Sequence, residues 1–148
     1  MDIFKKFKRN EDTTVNGAKM FLDKDNDVYI LVARMHQSNP VFKKAGQAKS
    51  ERHQAELERY KDDENKRNEL LERLGQETVA DVLITGWNGL EMNGEPFEFT
   101  PENAHRIRNE LPELFEQIMQ FALDSRNYVG TFDEDASLKN SQTAFVSA

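Results

Sequence analysis

The sequence predicts an α+β fold, mainly α: a helical domain with an N-terminal β-hairpin and a second short hairpin between helices. Three observations lead there. In residues 15–35, Ala18, Met20 and Leu22 alternate with other residues, and the β-branched run Val28 to Val32 follows. Farther on, Asn93-Gly94 separates Leu90-Glu91-Met92 from Phe97-Glu98-Phe99. Asn-Gly between alternating runs is the strongest short-range hairpin signal, because both turn residues must take positive φ. Finally, Leu111, Leu114, Phe115, Ile118, Met119 and Ala122 recur at helical spacing.

Taken in order, residues 1–14 read as a flexible basic N-terminus. Ile3, Phe4 and Phe7 lie beside Lys5, Lys6, Lys8 and Arg9. A basic amphipathic helix touching a membrane fits this pattern, but the segment is too short for firm anchoring, and a frayed end is the plainer reading. The link Asp23-Lys24-Asp25-Asn26-Asp27 has the alternating acids that open a calcium loop. Val28 then stands where the sharp-turn glycine belongs and Arg34 where the bidentate acid belongs, so the link reads as a solvated turn.

Ser38 or Asn39 can cap a helix whose first turn holds Pro40. Residues 41–74 continue as helix, in two pieces. Apolar positions are sparse between 45 and 60: Ala45, Ala48, Ala55, Leu57 and Tyr60. Asp62 with Lys66, Asp63 with Arg67 and Glu69 with Arg73 stand four apart, acid first, which supports an exposed helix. From Leu70 the stripe strengthens through Leu71, Leu74, Val79, Val82 and Leu83, with Gly75 as an expected bend. This helix is expected to pack against 112–124 and to stop at Gly86 in a left-handed conformation. Trp87, Asn93 and Gly94 are the expected structural anchors. In the hairpin, Met92 should face Glu95 and Leu90 should face Phe97, with Glu91 and Glu98 on the other side. Thr100 is the expected cap of the next helix and Pro101 its first residue, and Pro112 marks a break or the first turn of a new helix.

The stripe on the last helix is wider than one interface needs. Phe121 and Leu123 lie at its flanks, with Tyr128 and Phe132 beyond. Phe121, Leu123, Tyr128 and Phe132 are therefore the candidate protein-binding residues. Residues 15–130 form the expected single domain, and 131–148 read as a disordered polar tail.

Composition narrows the function classes. The chain has 148 residues and a formal net charge of −7, which argues against general nucleic-acid binding. It has no cysteine, hence no disulfide or thiolate metal site. No apolar run approaches the roughly 18 residues of a membrane span, and a signal-peptide core is missing, so a cytoplasmic protein is expected. His36, His53 and His105 have no partner at metal-ligand spacing. Neither a nucleophile elbow nor a phosphate-cradling glycine loop occurs. Glu91 and Glu98 share a strand face, but a solvated face is the plainer reading than a carboxylate pair. No catalytic, cofactor or metal residues are expected, and the residues alone point to a small binding or assembly module.

Residues 15–130 also resemble the tail assembly chaperones of long-tailed, siphovirus-type bacteriophages. The resemblance rests on an ordered set: Val32-Ala33-Arg34, Asn39-Pro40-Val41-Phe42, Gly86-Trp87 with Leu90, and the turn at Asn93-Gly94. Pro96-Phe97-Glu98-Phe99-Thr100-Pro101-Glu102-Asn103, Leu111-Pro112-Glu113-Leu114, and Ala122, Asp124 and Tyr128 complete it. The stretch 47–66 matches least. The resemblance implies a non-enzymatic protein of the host cytoplasm that binds the tape-measure protein, helps recruit tail-tube subunits and is absent from the mature virion. Self-association is open; no nucleic-acid or membrane partner is implied. It also implies two product lengths through a minus-one ribosomal slip, which Leu138-Lys139-Asn140 can encode. A structural tail or neck adaptor of the virion and a hydrolase built on the Glu91/Glu98 face with a histidine are the alternatives.

Overall fold

The computed structural model describes residues 1–130. The tail, Phe132 and the run Leu138-Lys139-Asn140 lie outside the described residues. Two short helices open the chain, α1 (Ile3–Phe7) and α2 (Glu11–Asn16). A hairpin of β1 (Ala18–Asp23) and β2 (Val28–Val32) follows. Next come α3 (Pro40–Arg52), α4 (Gln54–Arg59) and α5 (Glu64–Thr78), which runs into a π-helical turn at Val79–Leu83. The chain continues with β3 (Ile84–Asn88), the small hairpin β4 (Glu91–Met92) and β5 (Glu95–Pro96), α6 (Pro101–Glu110) and α7 (Pro112–Leu123). A 3₁₀ turn, Ser125–Asn127, leads to Tyr128.

The N-terminal hairpin has the expected antiparallel pairing, with Ala18 opposite Val32 and Met20 opposite Ile30. Its link is a closed turn in which Asp23 accepts from the Asn26 amide side chain at 2.7 Å, with Asp27 at φ 55°. Local pattern did not reveal the third strand. The sheet order is β1-β2-β3, so β2 is central and Ile30 stands opposite Trp87. Gly86 therefore lies inside a strand and does not end a helix. The helix ends earlier because Thr78 Oγ1 donates to Leu74 O at 2.7 Å, and Ile84 N then closes a wide turn on Val79 O. Gly75 makes no break, since α5 runs through it.

The packed body begins before residue 15. Asn10 caps α2, the Thr14 hydroxyl donates to Asn10 O at 2.6 Å, and Arg34 N donates to Thr14 O at 3.0 Å. Thr13 and Thr14 are buried, so these hydrogen bonds make the polar segment part of the domain. Asn39 is the cap of α3, fully buried, accepting from Val41 N at 3.1 Å and donating to Arg34 O at 3.1 Å. Thr100 and Pro101 open α6 as expected.

The acid-first pairs on the polar helices are not made. The chain turns at residues 60–63, leaving Asp62 outside α5 and Asp63 as its N-cap. Arg73 reaches across to Glu56 at 3.8 Å and to Glu77 at 4.0 Å. The core lies between the sheet and the layer formed by the π turn, α6 and α7. It joins Ile30, Val32, Leu83, Ile107, Ile118 and Phe121. Each such side chain contributes about 1.5–3 kcal/mol through burial. The π turn packs chiefly on α6, and α6 on α7, so α6 stands where direct packing of the fifth helix on the seventh was expected.

Candidate docking site

An open apolar surface lies on α3. Pro40, Val41, Ala45 and Ala48 form a row along one side of that helix, with Lys44 beside them and Val82 of the π turn opposite. They line a shallow groove of about 490 Å³. Val41 is exposed, and small alanines at helical spacing leave room for a second helix to approach closely.

An ionic network holds the two sides of this groove together. Lys49 of α3 is nearly buried and donates to Asp81 at 2.8 Å and to Glu77 at 3.3 Å. His105 of α6 places Nε2 2.6 Å from the other Asp81 oxygen, a distance at which the carboxylate accepts a proton-bearing nitrogen. Burial opposes the ionisation of Asp81, but the hydrogen bonds and charges of Lys49 and His105 outweigh it and hold the carboxyl below the usual aspartate range. Asp81 precedes Val82, so the same turn carries the ionic lock and one wall of the groove.

A second cleft, of about 330 Å³, lies between the small hairpin and the end of α6. Met92, Phe97, Ile107 and Leu111 give its apolar lining, and Glu91, Arg106 and Glu110 line it as well. The hairpin has the expected two-residue turn, with Asn93 at φ 55° and Gly94 at φ 81°. Met92 is opposite Glu95, and Phe97 N donates to Leu90 O at 2.8 Å. Trp87 anchors it: the indole N–H donates to Phe97 O at 2.6 Å, its ring stacks on Phe97, and Phe99 meets it edge-on. Trp87 is thus half-buried under the hairpin. Glu91 and Glu98 are both exposed.

Only one described candidate from the last helix faces outward. Leu123 is 61% exposed, whereas Phe121 and Tyr128 are buried. The expectation that Phe121 and Tyr128 are docking residues is corrected by β2 and the 3₁₀ turn. Those elements cover the flank, and the Tyr128 hydroxyl donates to Val32 O at 2.8 Å. Val41, Ala45, Ala48 and Val82 were missed as a site. Their trace in the sequence was two alanines three apart among polar neighbours, the first of them four residues after Val41.

A family model described as YdaY prophage protein matches residues 37–139. The chain belongs to the YdaY prophage protein family. No curated protein and no solved structure matches it. Membership ties the chain to bacteriophages. The matched region of this YdaY-family protein takes in the α3 groove, the ionic network and the small hairpin, while α1, α2, β1 and β2 precede it.

Proposed function

We propose that this YdaY-family protein is a phage tail assembly chaperone. It binds the tape-measure protein in the host cytoplasm, helps recruit tail-tube subunits to it, and leaves before the virion is complete. Its action is non-enzymatic and needs no cofactor. The observation that carries this reading is the α3 groove: an open apolar trough, walled by small side chains and braced by Lys49–Asp81, that matches one face of an amphipathic helix. A tape-measure protein offers such helices in long succession. Phage membership and the ordered motifs from Asn39 to Tyr128 support the same reading.

The test is co-expression with the tape-measure protein of the same phage, followed by pull-down and a solubility assay. The wild-type chain should keep the client soluble. Val41→Glu and Ala48→Arg should lose it without unfolding, because both positions face solvent. A client that remains equally soluble without the chain overturns the proposal. Presence of the chain in purified particles favours the structural adaptor instead. The two-length product is tested on the gene. A slippery run at Leu138-Lys139-Asn140 and two bands on a gel are expected, and one band with no such run removes that part.

A further inference from the structure

The segment Met1–Arg9 is built and held, which its composition did not suggest. Asp2 caps α1 by accepting from Phe4 N and Lys5 N, both at 3.1 Å. Behind the helix, Gly130 N donates to Lys8 O at 2.6 Å, Arg9 bridges to Val129, and Asn10 N donates to Tyr128 O at 2.8 Å. These bonds fix where α1 leaves the body. Nevertheless no residue of α1 is buried. Phe4 is 81% exposed, Phe7 61% and Ile3 55%. At 3.6 residues per turn these three side chains span an arc of about 100°. Lys6 and Lys8 fall on either side of that arc, and Lys5 lies opposite it. Four cations and a single acid occupy the first ten residues of a chain whose net charge is −7; Arg9 pairs with Glu11 at 2.8 Å, which leaves the three lysines as the basic group.

An apolar arc flanked by lysines on a pinned helix fits a surface that is apolar below and anionic above. We infer that α1 is an interfacial contact for anionic phospholipid. Phe4, Phe7 and Ile3 enter the boundary between headgroups and acyl chains, and Lys6 and Lys8, on either side of them, meet the phosphates. Among the described residues no helix is long and apolar enough to cross a membrane, so the contact is peripheral. The helix is short and the rest of the chain is acidic, so binding is reversible and falls with salt. This departs from the expectation of no membrane partner, and it is independent of the tail-chaperone reading.

The experiment is co-sedimentation of the full chain with vesicles of phosphatidylcholine, alone or mixed with phosphatidylglycerol, at low and high salt. Binding is expected only with phosphatidylglycerol and should disappear at high salt. Removing Lys6 or Lys8 should weaken binding by about fivefold, and Lys6→Glu with Lys8→Glu by at least about tenfold. Phe4→Ser with Phe7→Ser should weaken it comparably while the melting temperature stays unchanged, since neither side chain is buried. Equal binding to neutral vesicles, or undiminished binding by both double variants, overturns the inference. So does an oligomer that these variants convert to monomer while vesicle binding is unchanged, because a second copy then covers α1.

Discussion

Replacing Tyr128 by phenylalanine removes one oxygen from the core and leaves the ring in place. The lost group is a hydroxyl that donates to Val32 O at 2.8 Å, a bond between residues 96 apart in the chain. Such a bond contributes about 0.5–1.5 kcal/mol net. For a domain of this size that corresponds to a fall in melting temperature of about 2–6 °C. Tyr128→Ala also removes the ring that meets Phe121 edge-on at 6.1 Å, and should cost about 3–5 kcal/mol. Urea titration followed by Trp87 fluorescence reads both, with the midpoint moving and the slope constant. The pH profile gives an independent check. Desolvation by burial raises the Tyr128 pKa well above its ordinary value, with Arg34 opposing and Asp124 adding. The unfolded hydroxyl ionises at about pH 10. The stabilisation is therefore complete below that pH and is lost as pH rises toward the folded value. Tyr128→Phe lacks this alkaline limb, so its deficit relative to wild type should shrink above about pH 10. If both variants keep wild-type stability but lose client binding, Tyr128 is a docking residue and the core assignment is refuted.

Other substitutions probe the remaining assignments. Phe121→Ala should destabilise by about 3–5 kcal/mol in the same titration, whereas Leu123→Ala should stay within about 0.5 kcal/mol; equal effects would contradict their opposite exposures. Gly17 holds φ 104°, and an added Cβ would stand 2.7 Å from Thr85 Oγ1. Gly17→Ala should therefore cost about 1–3 kcal/mol, measured by thermal melting. Asp81 has a depressed carboxyl pKa, so its contribution is present above about pH 4 and is lost as pH falls. Asp81→Asn should flatten that part of the acid profile by less than about 1 kcal/mol, because the side chain is 37% exposed; an unchanged profile would remove the network from the pH dependence.

The sequence by itself determined the features whose causes are local. The Asn93-Gly94 turn follows from two positive-φ residues, the starts of α3 and α6 from Asn39-Pro40 and Thr100-Pro101, and the first hairpin from alternation around an acidic link. Each needs only a few neighbouring residues, so a short window contains its whole physical reason. Only the tertiary structure decided the features with distant partners. Ile84 to Asn88 became a strand because β2 offered a free edge more than fifty residues earlier in the chain. Lys49 became a buried lock because α3 folds back against α5 and the π turn, bringing Glu77 and Asp81 to it. Tyr128 moved from candidate surface to core because the 3₁₀ turn returns it to Val32. The α3 groove has the same origin. Its alanines are ordinary helix residues in the sequence, and they acquire a wall only when the wide turn sets Val82 across from them.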